Sequence, residues 1–249
     1  MIRNPFSLDG KTVLVTGASS GIGKATAILC SEMGACVVIT GRDEARLEET
    51  FVLLQGEGHQ KFVFDLTDEL ATRAVVAEMP SFDGITNCAG IANMVPFPFV
   101  TQEEMERVFS TNFFAPVMLV NQLLKAKKLL KGSSVVFVSS VDGPKVVHAG
   151  NSVYSASKSA LMGMARNMAI DLAGKKIRVN CVLPGTTDTP MIRTENVTEE
   201  SLQETAKSFP LKRFAMPEDI ANAIVFLLSD ASTFITGTEL VVDGGYSIV

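Results

Sequence analysis

The sequence predicts an α/β fold, a parallel sheet covered by helices on both faces. Short apolar runs alternate with stretches of helical period along the chain, and the first run leads at once into a glycine-rich turn, T-G-A-S-S-G-I-G, that opens a helix. No proline- or serine-rich linker, charge block, repeat or low-complexity stretch divides the 249 residues, so one domain spanning 1–249 is expected.

In chain order, Val13, Leu14 and Val15 suit a buried parallel strand over Thr12–Thr16. Gly17, Gly21 and Gly23 make the turn, and Ala25, Ile28, Leu29 and Met33 recur at helical spacing until Gly34 stops the helix. A second strand is expected at Cys36–Thr40, with Asp43 capping the helix after it. Further strands are expected at Lys61–Phe64, Ile85–Asn87, Val135–Ser139, Ile177–Leu183 and Glu239–Val242, with helices between them. Gly17, Asn87, Ser140 and Pro184 then fall at the carboxyl ends of strands, where ligands collect in open α/β sheets, so four distant stretches converge on one crevice.

Composition excludes several classes. At 47% hydrophobic the chain can bury a substantial core. Met1 to Gly10 has no long apolar run, and no segment reaches the roughly 18 apolar residues of a spanning helix, so the reading is a cytoplasmic protein without a membrane partner. Cys30, Cys36, Cys88 and Cys181 lie far apart and read as reduced, mostly buried thiols. With His59 and His148 the only histidines, no metal site is expected. A net charge of −5 argues against nucleic acid.

The most informative pair chemically is Tyr154 and Lys158 in Y-S-A-S-K, which share a helix face one turn apart. A free phenol titrates near pH ~10, and a fixed positive charge beside it favours the phenolate, so the pair can exchange a proton closer to neutrality. The only other tyrosine is Tyr246. At the amino end, a helix starting at the glycine turn aims free N–H groups and its positive dipole end outward, where a pyrophosphate would bind. The turn is G-x-x-x-G-x-G rather than the commoner dinucleotide pattern G-x-G-x-x-G.

Taken together and in order, these motifs resemble the classical short-chain dehydrogenases/reductases over nearly the whole chain. Thr16 to Gly23 matches that family's cofactor turn, and N-C-A-G at Asn87 to Gly90 matches its N-N-A-G with a cysteine in second place. Asn112 in T-N-F-F, Ser140 in F-V-S-S-V-D-G, Tyr154 with Lys158, and P-G-T-T-D-T-P from Pro184 to Pro190 follow. P-L-K-R-F-A-M-P-E-D-I-A and the closing T-G-T-E-L-V-V-D-G-G are similar to the 3-oxoacyl-[acyl carrier protein] reductase branch.

The resemblance implies a Rossmann-type, doubly wound sheet of about seven strands in the order 3-2-1-4-5-6-7. It implies an oxidoreductase moving a hydride between a nicotinamide and a ketone or secondary alcohol. Tyr154 would be the acid, and Lys158 would hold the nicotinamide ribose and lower the phenol's pKa. Ser140 would hydrogen-bond the substrate oxygen, and Asn112 would order a water linking Lys158 to solvent. Ser139 is adjacent, but Ser140 keeps the closer spacing to Tyr154; that spacing is fourteen residues, one more than in close relatives, so the loop is slightly enlarged. The stretch Asp65 to Asn87 is shorter than usual, which implies a trimmed helix.

Cofactor contacts are implied for Gly17, Ser19, Ser20, Gly21, Ile22 and Gly23 in the turn, and for Asp65 at the adenine edge with Leu66 beside it. They extend to Asn87, Ala89 and Gly90, to Tyr154 and Lys158, and to Pro184, Gly185, Thr187 and Thr189, the last at the carboxamide. The end of the second strand reads V-V-I-T-G-R-D, with Gly41 where NAD-preferring members carry aspartate. Arg42 follows, and its planar fork can take a phosphate. NADP(H) is therefore expected, with NAD(H) as the alternative and Asp43 the rival acidic claimant.

Phe109, Phe113, Phe114, Val117, Met118, Leu119, Leu123 and Leu124 wrap most of the way round a helix within Met105 to Lys125, and Ser155 to Leu172 is similarly apolar. Either flanking helices cover these faces or a subunit interface does; the resemblance implies a homotetramer. Substrate walls are expected from Ala92 to Phe99, Val141 to Ala149 and Met191 to Phe214, within a substrate-loop region near 186–215; Met94, Pro96, Val146, Val147, Met191 and Ile192 supply apolar surface. Lys125, Lys127, Lys128, Lys131, Lys175 and Lys176 are candidates to receive an acyl carrier protein, unless they are solvated residues at helix ends. A 3-oxoacyl thioester is the leading substrate, with a sugar, steroid or other ring alcohol as the alternative. A non-catalytic dinucleotide-binding protein would be marked by loss of the tyrosine or lysine, and both are present.

Overall fold

A computed structural model describes residues 4–193 and 198–249. Seven parallel strands form one sheet in the order β3-β2-β1-β4-β5-β6-β7. They are β1 (Thr12–Thr16), β2 (Cys36–Gly41), β3 (Gln60–Val63), β4 (Phe82–Asn87), β5 (Leu129–Val138), β6 (Arg178–Pro184) and β7 (Glu239–Val242). The order reverses between β1 and β4, where Thr16 pairs with Asn87, and that switch point opens the main crevice.

Alternate residues of the same strands serve two cores, as a strand's period of two requires. Leu14, Ile85, Val135, Phe137 and Val179 point to one face, against helices α3 (Glu69–Glu78), α5 (Ala115–Lys125) and α6 (Ser152–Leu172). Val13, Val15, Val37, Ile39, Val136 and Val182 point to the other, against α1 (Gly21–Glu32), α2 (Glu44–Phe51) and the helix Pro217–Leu228. Each fully buried aliphatic contributes roughly 1.5–3 kcal/mol, so the helices are held mainly by these faces. The expected cap is present, since Asp43 accepts from the N–H of Arg46 at the start of α2.

Two strands begin earlier than the apolar runs indicate. In β4, Phe82, Asp83 and Gly84 precede the run; the Asp83 carboxylate accepts from Thr12 N–H at 2.9 Å, and a Cβ at Gly84 would lie 2.8 Å from Leu228 Cδ2. In β5, Leu129 pairs with Phe82, and the register then shifts before Ser134 pairs with Gly84. Lys131 and Gly132 occupy that irregularity and hide the strand's start from a pattern of hydrophobicity. The four cysteines are unpaired, with Cys30 and Cys181 buried. No helix among the described residues is long and apolar enough to cross a membrane.

The apolar segment 102–125 is not one regular helix. It comprises α4 (Gln102–Phe109), a π turn at Ser110–Phe114 and α5. Pro116 has no N–H to offer the carbonyl four residues back, at Asn112, and the wider turn accommodates that loss. Leu119 and Leu123 are buried in the core, whereas Met105, Phe114 and Met118 are exposed, as is Ile170 on α6.

The topology places the lysine candidates at the far edge of the sheet within one chain. Lys125, Lys127, Lys128 and Lys131 lie at the amino end of β5, and Lys175 and Lys176 precede the amino end of β6. Ser140 and Pro184 lie at the carboxyl ends of the same two strands, roughly 20–30 Å away at the rise of extended chain. Sequence proximity to helix ends does not reveal which edge of a parallel sheet a residue occupies.

Candidate active site

The crevice starts at the glycine turn. Gly17 has φ +65°, and a Cβ there would meet Ala89 Cα at 2.7 Å; a Cβ at Gly23 would lie 2.2 Å from the carbonyl oxygen of Gly17. Only glycine lets the turn, the β4 end and α1 approach this closely. The α1 N-cap, Ser20, makes no side-chain cap bond, and the first turn carries no acidic residue. Its N–H groups and dipole therefore face the crevice, an arrangement suited to a pyrophosphate. At the end of β4, Asn87 is buried with neither its amide oxygen nor its nitrogen partnered by protein, so it too fits a polar ligand.

Gly17, Ser19, Ser20, Gly21, Ile22, Gly23, Arg42, Asp65, Leu66, Ala89, Gly90 and Thr189 all line this crevice, as do Cys88 and Thr111, which lie in quoted motifs without an assigned contact, and Ile91 and Thr67. Pro184 ends β6, the Gly185 N–H donates to the Val242 carbonyl and the Thr187 hydroxyl donates to the Gly185 carbonyl, which fixes the start of the segment that brings Thr189 to the crevice. Positions 194–197 of the expected substrate loop lie outside the described residues.

Arg42 and Asp65, expected at different parts of the dinucleotide, meet at 3.4 Å across the mouth. Burial opposes ionisation of Asp65, yet two hydrogen bonds from Thr67 and the neighbouring guanidinium hold its carboxyl below the usual range. The pair is largely exposed and therefore weak, leaving the guanidinium free to turn. A Cβ at Gly41 would lie 2.3 Å from Ser19 Oγ, so a larger residue there requires the serine to change rotamer.

The second half of the site is built on α6 and the end of β5. Lys158 is 4% exposed, and its ammonium donates to the carbonyl of Val138 at 2.8 Å. Burial pushes its pKa down to about 8, with the thiols of Cys88 and Cys181 acting the other way. Tyr154 is partly exposed as a residue, but its hydroxyl end is enclosed. Burial pushes that phenol up to about 12, a hydrogen bond with Ser140 works against the rise, and the charge of Asp142 adds to it. Lys158 is not among the groups acting on the phenol in this arrangement, so the lowering expected of it needs the ammonium to turn toward the hydroxyl. The ammonium is turned to Val138 and lies 5.8 Å from the tyrosine ring centroid.

The two serines separate cleanly. Ser139 Oγ donates to the main-chain carbonyl of Lys158 at 2.8 Å, tying β5 to α6, whereas Ser140 bonds the Tyr154 hydroxyl and accepts from Asp142 N–H at 3.0 Å. Asn112, fully buried in the π turn, accepts from Ile91 N–H at 2.8 Å and donates to Ile91 carbonyl at 2.9 Å and to Ser157 Oγ at 3.0 Å. It clamps the loop after Gly90 to the helix that carries Tyr154. Asp142 in F-V-S-S-V-D-G and Ser157 in Y-S-A-S-K lie within the quoted motifs, but the sequence assigned neither a role.

The three expected wall segments adjoin. Val95 N–H donates to Gly150 carbonyl at 2.8 Å, joining the first two. Phe209 stacks on Tyr246 at 4.3 Å, and Tyr246 OH lies 3.0 Å from His148 Nε2, joining the third through the carboxy-terminal turn. Met94, Phe97, Val147 and Met191 expose apolar surface around them.

A family model described as Enoyl-(Acyl carrier protein) reductase matches residues 17–247. The chain is 36% identical to D-erythrulose reductase of Gallus gallus, with 98% of each chain covered. The chain belongs to the short-chain dehydrogenase/reductase family. It is 35% identical to 3-oxoacyl-[acyl-carrier-protein] reductase of Thermotoga maritima, over 97% of this chain and 99% of that one. A proposed NAD(P)-dependent gluconate 5-dehydrogenase of Beutenbergia cavernae, crystallised with NADP at low occupancy, superposes with TM-score 0.88 at 31% identity, covering 99% of this chain and 100% of that one. This short-chain dehydrogenase/reductase is thus an oxidoreductase acting on alcohol and carbonyl groups. Its relatives share a fold and differ in substrate.

Proposed function

We propose that the chain is an NADP(H)-dependent reductase of ketones, working reversibly on secondary alcohols. The observation that carries this is the contact of the Ser140 and Tyr154 hydroxyls at the end of β5, one helical turn from the buried Lys158. The glycine turn, Asn87 and Thr189 would hold the dinucleotide, which when bound supplies or accepts the hydride. Ser140 donates to the carbonyl oxygen and aligns it. Tyr154, kept protonated by burial, gives its proton to that oxygen as negative charge develops there. Lys158 reaches the ribose and, once turned from Val138, stabilises the phenolate left behind. The remaining lone pair of Asn112 Oδ1, close to Gly90 and Lys158, is suited to the water proposed for it.

NADP(H) is favoured because Gly41 supplies no carboxylate for the ribose hydroxyls, while Arg42 is exposed at the mouth and able to turn to a phosphate. A 3-oxoacyl thioester remains the leading substrate on the carboxy-terminal motifs; attachment to a carrier protein loses the support of the lysines, which lie at the opposite edge. A second reading, a hydroxylated ketone, is favoured by the His148 and Tyr246 pair on the wall and by the D-erythrulose reductase relative. Exposed Met105, Phe114, Met118 and Ile170 are apolar surface that a homotetramer would cover.

The test is NADPH oxidation with an acetoacetyl thioester, erythrulose and simple ketones, alongside the same panel with NADH. Turnover with NADPH supports the reading; failure on every ketone, with NADPH shown to bind, contradicts it.

A further inference from the structure

The loop between Ser140 and Tyr154 is built round a carboxylate that the proposed chemistry does not use. Asp142 is 6% exposed. Its carboxylate accepts from Ser155 Oγ at 2.8 Å, from the Asn151 side-chain amide, and from His148 Nδ1 at 3.0 Å. Its own N–H donates to Ser140 Oγ at 3.0 Å. Asn151 is the N-cap of α6 and Ser155 lies in its first turn, so the anion sits where the helix dipole favours it. The loop presses on the same helix, since a Cβ at Gly143 would lie 2.7 Å from Ser159 Oγ and 2.9 Å from the Ser155 carbonyl. One side chain thus touches the loop carrying Ser140 and the helix turn carrying Tyr154, and through His148 it reaches Tyr246.

We propose that Asp142 is a positioning residue of the reaction, holding Ser140 against Tyr154 and fixing the first turn of α6 from which Tyr154 projects. The proposal rests on the reading of Tyr154 as proton donor. Fixing the carboxylate on three donors leaves its backbone N–H one geometry, which occupies a Ser140 lone pair and holds the serine hydroxyl beside the tyrosine. The imidazole is set in the same way: Nδ1–H donates to Asp142, leaving Nε2 to accept from the Tyr246 hydroxyl.

The titratable groups around the carboxylate are His148 on its own loop, Tyr154 and, one turn further, Lys158 on α6, and Tyr246 beyond the imidazole; Lys145 on the loop is exposed. Among the described residues no lysine or arginine pairs with it. Removing its charge therefore disfavours the protonated form of either Tyr154 or Lys158, and both shifts run the same way.

Asp142→Asn keeps the shape and removes the charge. Ketone reduction by this variant should lose about tenfold or more in kcat, and the alkaline limb of its pH profile should move to lower pH. Ser155→Ala and His148→Phe remove one donor each but keep the charge, so kcat should fall while the limb does not move down. Native kcat and a native limb in Asp142→Asn overturn the proposal. If that variant does not fold, native kcat in both of the others overturns it. Tyr154→Phe run in parallel separates the cases: a dead Tyr154→Phe with a native Asp142→Asn defeats this proposal alone, whereas an active Tyr154→Phe defeats the reading beneath it as well.

Discussion

Lys158 ties α6 to the end of β5: its ammonium donates to the Val138 carbonyl at 2.8 Å, and two residues beyond Val138 the Ser140 hydroxyl meets Tyr154. The ammonium is a buried cation held by one main-chain dipole, which explains why its pKa falls to about 8.

Replacing Lys158 with methionine should therefore abolish ketone reduction while leaving the thermal midpoint at pH 7 unchanged or higher. The sign follows from linkage. The folded pKa of about 8 lies below the ordinary lysine value of 10.5, so the fold binds fewer protons than the unfolded chain between those values. Stability contributed by this group rises with pH through that window, and at pH 7 the buried cation is a net cost. A midpoint that drops sharply at pH 7 would contradict this, as calorimetry at pH 7 and pH 9.5 can show.

The adjacent serines should behave oppositely. Ser140→Ala removes a donor to the substrate oxygen, and kcat should fall by about 10². Ser139→Ala removes a strut to the Lys158 carbonyl, so stability should fall by about 1 kcal/mol with most of the turnover retained. Denaturant midpoints and initial rates on the two variants distinguish the roles; an active Ser140→Ala with an inactive, stable Ser139→Ala would reverse the assignment.

For the cofactor, Arg42→Ala should weaken NADPH binding by roughly 10- to 100-fold and NADH binding little, the scale of a charge-assisted hydrogen bond of about 1.5–3 kcal/mol. Gly41→Asp should move preference toward NADH once Ser19 rotates out of the new side chain's way. Fluorescence titration with both nucleotides checks this, and equal losses for both in Arg42→Ala would remove Arg42 from the phosphate site.

The parts of this molecule legible in its sequence are those where a residue type has one structural use. Gly17, Gly21 and Gly23 mark a turn that no side chain fits, and β1 and β2 read as unbroken apolar runs because both of their faces are buried. Tyr154 and Lys158 are visible because helical period places them together. The start of β5 is not, since Lys131 and Gly132 interrupt its pattern, nor is the π turn, whose cause is a single proline. Asp142 escaped because its partners, His148, Asn151 and Ser155, converge only after the loop folds. The direction of the Tyr154 shift escaped because spacing on a helix says nothing of which atom the ammonium faces.

The central claim is that Tyr154 gives the proton, and Tyr154→Phe tests it most directly because the ring and its packing stay while the hydroxyl goes. Ketone reduction by the variant, measured against a substrate the native enzyme turns over well, should fall by about 10² or more. NADPH affinity, measured by fluorescence titration on the same preparation, should change little. Turnover near the native rate would contradict the account.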